Sequence, residues 1–255
     1  MSYQEFQTIF IPLLLAFLAG ISTLVGSLIF LFIKKFNRKS LSFFLGLSAG
    51  AMIYLSFMEL LPSSLRSIGF IPTNILFFLG ILFIGIIDFI VPHHYSKVCF
   101  KNGTPYNKLM MTGTMTILGI TIHNFPEGAA VFMSSYGNLK FGLLIALATA
   151  LHNIPEGIAV SVPIYYATRN KWKSIGYSFI AGIAEPIGAV ITFLVLRPFI
   201  SSTFLAYLFA FIAGIMVFIS LDELLPSCFE HSQGHRAIIG IITGMFLIAS
   251  SLIFF

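Results

Sequence analysis

Eight runs of apolar residues, near 9–33, 41–61, 71–92, 109–135, 139–166, 174–196, 203–226 and 236–254, divide this chain. About 20 such residues cross the hydrocarbon core of a bilayer as one helix, so the expected fold is all-α: a polytopic membrane protein of eight transmembrane helices. Composition agrees. Of 255 residues 58% are hydrophobic and 9% charged, against roughly a quarter charged in a soluble domain, and the mean hydropathy of +0.98 is the reverse of a disordered chain. The spans leave no room for a separate soluble domain, so residues 1–255 read as one transmembrane unit. The first run follows Glu5 rather than Lys or Arg and exceeds a signal-peptide core in length, which marks it as a retained span. Cys99 and Cys228 are too few for a disulfide framework and fall between spans, so both are read as reduced thiols in connecting segments.

Basic residues orient the spans. Lys34, Lys35, Arg38 and Lys39 follow the first, Lys97, Lys101 and Lys108 the third, and Arg169, Lys171 and Lys173 the fifth, while Arg236 precedes the eighth. These alternate loops hold 11 of the 14 basic residues, leaving Arg66, Lys140 and Arg197 on the other side. The positive-inside rule then puts the odd-to-even loops in the cytoplasm and both termini outside, in the plasma membrane. The net charge of +5 is thereby accounted for and calls for no nucleic-acid partner.

The chain repeats itself. Ala49-Gly50-Ala51-Met52, Ser56 and Glu59-Leu60-Leu61-Pro62-Ser63 of the second span recur in the seventh as Ala213-Gly214-Ile215-Met216, Ser220 and Glu223-Leu224-Leu225-Pro226-Ser227, at a constant offset of 164. The seventh span comes five spans after the second, and an odd step reverses direction, so spans 1–3 and 6–8 form an inverted repeat. His123-Asn124-Phe125-Pro126-Glu127-Gly128 of the fourth span likewise recurs in the adjacent, antiparallel fifth as His152-Asn153-Ile154-Pro155-Glu156-Gly157. Inverted repeats with proline-interrupted helices are the pattern of secondary transporters.

Seven of the nine acidic residues (Glu59, Asp88, Glu127, Glu156, Glu185, Asp222 and Glu223) lie within the apolar runs. An ionised group at a helix centre costs roughly 3 kcal/mol, and no Lys or Arg in those spans neutralises it. Protonation or a bound cation must do so instead, and the paired histidines favour a metal. In each motif the His and Glu are four residues apart and the Asn and Glu three, which places imidazole, amide and carboxylate on one helical face. Pro126 and Pro155 free the carbonyls of Ile122 and Leu151, and the glycine after each glutamate permits close helix approach. With Glu185, followed by Pro186, these residues fall near mid-span, so one convergent site at the bilayer midplane is expected. Imidazole with carboxylate suits Zn²⁺, Fe²⁺, Mn²⁺ or Co²⁺, and a thioether from Met52 would favour the softer ions, Cd²⁺ included.

The paired His-Asn-x-Pro-Glu-Gly motifs, the Ala-Gly-x-Met and Glu-Leu-Leu-Pro of the second span and the Ala-Glu-Pro of the sixth resemble the ZIP (Zrt/Irt-like protein) metal transporters, most closely their bacterial ZupT-type branch. The resemblance covers essentially the whole chain. It implies a binuclear metal site, with His123, Asn124 and Glu127 as one ligand set, His152, Asn153 and Glu156 as the other, Glu185 as an added carboxylate and Met52 as a further contact. Glu127 and Glu156 would bridge the two ions. It also implies uptake of divalent ions, zinc foremost, into the cytoplasm, eight spans with both termini outside, and a homodimer. No prosthetic group is implied. Two departures stand out: the loop after the third span is short, with only His93-His94 near Cys99, and Asn153 stands where some members carry a carboxylate.

Two rival functions share these residues. A membrane metalloenzyme would need His-Glu-x-x-His or the Glu-x-x-His order of di-iron bundles, and neither is found. A passive metal-selective channel would use every ligand and differ only kinetically. No Gly-x-x-x-x-Gly-Lys-Ser/Thr run signals ATP hydrolysis. Glu59 at the outer end of the second span, and Asp222 and Glu223 at the inner end of the seventh, are candidate gate residues that would gather cations at opposite mouths. Cys228, His231 and His235 form a further metal-ligand spacing on the cytoplasmic side.

Overall fold

A computed structural model describes residues 3–32, 38–90, 105–196, 201–230 and 234–253. His93, His94, Cys99 and His231 lie outside the described residues, as do most of the basic residues of the first and third loops. Among the described residues the secondary structure is helical, in the order α1 Tyr3–Phe32, α2 Arg38–Leu55, a π-helical turn Ser56–Leu60, α3 Leu61–Ile68, α4 Phe70–Ile90, α5 Pro105–Gly137 and α6 Leu139–Thr168. Then come α7 Lys171–Gly182, α8 Ala184–Ile191, a π turn Thr192–Leu196, α9 Ser202–Ile219, a π turn Ser220–Leu224, α10 Leu225–Glu230 and α11 His235–Leu252. Seven of these stretches are long and apolar enough to cross a membrane, and α5, 33 residues long with the first motif, is the eighth helix of the bundle.

Short polar caps reverse the chain between spans. The Asn138 side chain accepts from the Phe141 amide at 3.2 Å to start α6, and Asn170 accepts from Lys173 at 3.1 Å to start α7. Arg169 ends α6 in the left-handed region (φ 53°), its guanidinium 5.3 Å from the Tyr166 ring centroid. Exposed apolar side chains such as Phe78 and Leu82 of α4 and Phe246 of α11 face outward, as a lipid solvent requires.

Two span ends differ from expectation. Helix continues through Pro62 to Ile68 and through Pro226 to Glu230. Each proline sits in the first turn of a new α segment, just after a π turn, where its missing N–H breaks no regular helical bond. Cys228 is consequently not in a connecting segment. It is buried in α10, with its thiol 3.1 Å from the Leu225 carbonyl.

The inverted repeat extends to these irregularities. The two π turns occupy equivalent positions, and in each the first serine bonds back to the methionine four residues earlier, Ser56 to the Met52 carbonyl at 2.8 Å and Ser220 to that of Met216 at 2.7 Å. Packing obeys the same symmetry: α2 lies on α11 and α9 on α4, while α1 lies on α6 and α8 on α5. Exchanging each helix for its repeat mate converts one pair into the other. Two groups result, α1 with α5 to α8, and α2 to α4 with α9 to α11.

Glycine sets the spacing within each group. A Cβ at Gly26 would overlap the carbonyl of Ile154, and one at Gly50 that of Ile241. Among the described glycines, each one packed this closely against another helix's backbone has that helix in its own group. Between groups, α2 and α11 meet α6, and α9 meets α5, and Phe141 of α6 also packs on Phe209 of α9 with ring centroids 5.5 Å apart.

Candidate metal centre

Both motif helices run through their prolines, which keeps His, Asn and Glu of each motif on one face as the spacing predicts. The motif glycines then bring in a third and fourth helix. Gly128 lies so close to α8 that a Cβ would overlap the Glu185 carbonyl, and Gly157 is equally close to the Thr23 carbonyl of α1. Pro186 has no N–H to offer the carbonyl of Gly182, and the helix is interrupted there at Ile183, leaving Glu185 in the first turn of α8.

The polar side chains pair across the motifs. His123 Nε2 lies 3.3 Å from Glu156 Oε2, and His152 Nε2 lies 3.2 Å from Glu127 Oε2. The amides reach to the outer helices: Asn124 donates to the Ala181 carbonyl at 3.3 Å, and Asn153 to the Ala19 carbonyl at 2.9 Å and to Glu185 Oε1. His123, Asn124, Glu127, His152, Asn153, Glu156, Glu185 and Met52 are all buried, and the carboxylates' ion-pair partners among the described residues are imidazoles.

A polar cluster this deep would be expected to satisfy itself, and it does not. Nδ1 of both histidines, Oδ1 of both asparagines, Glu127 Oε1 and Glu185 Oε2 are buried without a hydrogen-bond partner. An orphaned buried acceptor costs about 1–3 kcal/mol, so the four oxygens among them, from Asn124, Glu127, Asn153 and Glu185, point to a group that accepts their lone pairs. Among the described residues no three His, Cys, Asp or Glu side chains already surround one point. The candidate ligand atoms stand instead as two facing His–Glu pairs.

Residues 92–251 match the ZIP zinc transporter family. Over nearly its whole length, the chain is 46% identical to the zinc transporter ZupT of Chlorobium limicola, covering 94% of this chain and 96% of the relative. It is 46% identical to the ZupT of Streptococcus mutans (98% and 99% covered) and 44% identical to that of Campylobacter jejuni (97% and 97%). The chain belongs to the ZIP family. It is a polytopic membrane transporter rather than an enzyme, which removes the metalloenzyme rival.

Two polar residues of this ZIP protein escaped the sequence reading. Ser48 of α2, buried, donates to Glu156 Oε1 at 3.3 Å and lies 4.0 Å from the Met52 sulfur. Thr23 of α1 is the repeat mate of Glu185. The run Ala19-Gly20-Ile21-Ser22-Thr23-Leu24-Val25-Gly26 matches Ala181-Gly182-Ile183-Ala184-Glu185-Pro186-Ile187-Gly188 at an offset of 162, and Gly20 and Gly182 each lie against the other's carbonyl. The match extends to the contacts. Ala19 and Ala181 receive the two asparagine amides, and Gly26 and Gly188 fit the carbonyls of Ile154 and Phe125, the residues before the motif prolines. Ser22, Leu24 and Val25 also differ from their mates, but the change that alters the polar cluster is at Thr23, where a hydroxyl, itself unpaired, stands in place of a carboxylate.

The candidate gates are arranged unequally. Glu223 and Glu59 are half-buried on their π turns, and Glu223 reaches α5, where Gly119 leaves room for its carboxylate: a Cβ there would lie 2.6 Å from Oε1. Gly119 is one helical turn from His123. Asp222 is exposed on the same π turn and joins neither His–Glu pair.

Proposed function

We propose that this ZIP protein carries Zn²⁺ into the cytoplasm across the plasma membrane by alternating access to a midplane site. The whole chain works as one transporter unit, in a homodimer. The observation that carries this reading is the set of four unpaired buried oxygens, contributed by Asn124, Glu127, Asn153 and Glu185, beside the two His–Glu pairs. The spacing of the pairs supports it. Zn²⁺ bound tetrahedrally at about 2.0 Å to imidazole nitrogen and carboxylate oxygen holds those two atoms about 3.3 Å apart. His123–Glu156 and His152–Glu127 stand at 3.3 and 3.2 Å. A divalent ion entering either pair takes the place of the shared proton, with amide and carboxylate oxygens completing its shell. One ion per pair gives a binuclear site. Asn153 Oδ1 and Met52 are supporting contacts, the latter tilting the site toward softer ions.

Uptake into liposomes by purified protein tests this, with Zn²⁺ competed against Fe²⁺, Mn²⁺, Co²⁺ and Cd²⁺. Saturable Zn²⁺ entry is expected, and its absence would sink the reading. Rates that rise without saturation would identify a channel.

Glu59 and Glu223 serve as the outer and inner approaches, with Asp222 adding charge at the inner mouth. E59Q should raise the external Zn²⁺ concentration at half-saturation, whereas E223Q should lower the maximal rate by slowing release past Gly119. Wild-type kinetics in both variants would reduce these residues to helix ends.

Orientation is testable by placing thiols at exposed positions in a C99S/C228S background. Trp172, 80% exposed after the fifth span, lies in the cytoplasm under the positive-inside rule, and Gly137, with open space around its Cβ position, lies outside. An impermeant maleimide should label G137C in intact cells and W172C only in inside-out vesicles. The opposite pattern would reverse the direction of transport.

A further inference from the structure

We infer that Ser48 sets the choice among metal ions by fixing how Glu156 presents its carboxylate, a reading that rests on the transport site proposed above. Ser48 is fully buried on α2 and is outside the duplicated motifs. Its hydroxyl donates to Glu156 Oε1 at 3.3 Å, while the other oxygen, Oε2, faces His123 Nε2 at 3.3 Å. The two oxygens of this carboxylate are thus distinguished. The contact with His123 is given up when a cation takes the place of the shared proton, whereas the bond from Ser48 is kept, so Oε1 is the poorer electron-pair donor and the kept bond fixes the plane of the carboxylate. Glu156 therefore offers a cation chiefly Oε2, as a one-atom ligand.

That presentation suits a small ion that is complete with four ligands, as Zn²⁺ is. The larger Cd²⁺ takes more ligands and gains from a carboxylate that can turn both oxygens toward it. Without the hydroxyl, Oε1 is released and the second oxygen becomes available, so Cd²⁺ gains relative to Zn²⁺. The Met52 sulfur, 4.0 Å from the Ser48 oxygen, places a soft donor at the same spot. The hydroxyl thus restrains a neighbourhood that would otherwise favour the softer, larger ion. Ser48 acts through Glu156 and is a positioning residue.

The test measures half-saturation and maximal rate for Zn²⁺ and Cd²⁺ separately in liposomes containing wild-type, S48A or S48T protein. Alanine removes one oxygen and leaves the packing of α2 nearly unchanged, and threonine retains the donor. S48A is expected to shift the ratio of Zn²⁺ to Cd²⁺ half-saturation constants about tenfold toward Cd²⁺, the effect of one hydrogen bond to a charged group, with maximal rates within twofold of wild type. S48T is expected to keep the wild-type ratio. An unchanged ratio in S48A, or a ratio in S48T equal to that of S48A, would overturn the assignment. A loss of rate for both ions alike in S48A would also overturn it, since a purely structural role moves both together. Failure of the wild-type protein to carry either ion would instead refute the transport site.

Discussion

Replacing Glu156 by Ala should abolish saturable Zn²⁺ uptake while the protein still reaches the membrane and elutes as a folded species. Glu127→Ala should do the same. Each carboxylate faces the histidine of the other motif, at 3.3 and 3.2 Å, so one substitution disables both copies. Loss of a ligand's outer partner costs about 10–100-fold in metal affinity, and losing the ligand itself should exceed that range in half-saturation or rate. Glu156→Ala should be the more severe, because it leaves both His123 and Ser48 without their partner. Radiometal uptake in vesicles, with expression checked by blotting, decides the matter. Wild-type rates in both variants would remove the motifs from the transport site.

The second large effect is expected where no polar atom is touched. Gly157→Val should destabilise the protein and eliminate uptake, since any Cβ there would overlap the Thr23 carbonyl and crowd the Ser27 amide. Backbone cannot rotate aside as a side chain can, so α1 must move away from α6. Overpacking a tight interior costs about 1–3 kcal/mol, and the shift would also part Asn153 from the Ala19 carbonyl it holds at 2.9 Å. Thermal unfolding in detergent should show a depressed midpoint. Gly176→Ala, inside α7 with open space around it, should not lower that midpoint and should raise it slightly, since alanine is the better helix former. Equal midpoints for Gly157→Val and wild type would refute the close-contact argument.

The spans were legible because lipid demands long apolar runs and because charge collects in the loops. Their ends at Pro62 and Pro226 were not, since proline stops a regular helix but is tolerated after a π turn, and nothing in the local residues signals such a turn. The two motifs announced themselves by duplication. That each histidine faces the other motif's glutamate depends on how α5 and α6 cross, which i, i+4 spacing within one helix does not encode. Ser48 was hidden for a different reason. Serine and threonine in apolar helices commonly bond back one turn, as Ser56, Thr121 and Ser220 do, so a hydroxyl that reaches another helix looks the same in sequence. Thr23 could have been found. The Ala-Gly-Ile run of the first span recurs in the sixth, and aligning the two sets threonine against glutamate.

At the proposed site, the mismatch of Thr23 with Glu185 would give the pathway a sidedness. In an inverted repeat, perfect symmetry would present the same site to an ion from either face of the membrane, with equal binding and release in both directions. A carboxylate on α8 opposite a hydroxyl on α1 makes the two faces chemically unequal. Detailed balance still requires the ratio of maximal rate to half-saturation constant to match in both directions when no gradient acts. Tighter capture from one side must then be matched by slower turnover from that side. Measured on both faces of an oriented vesicle, those paired differences would report how far Glu185 has moved the carrier away from equivalence.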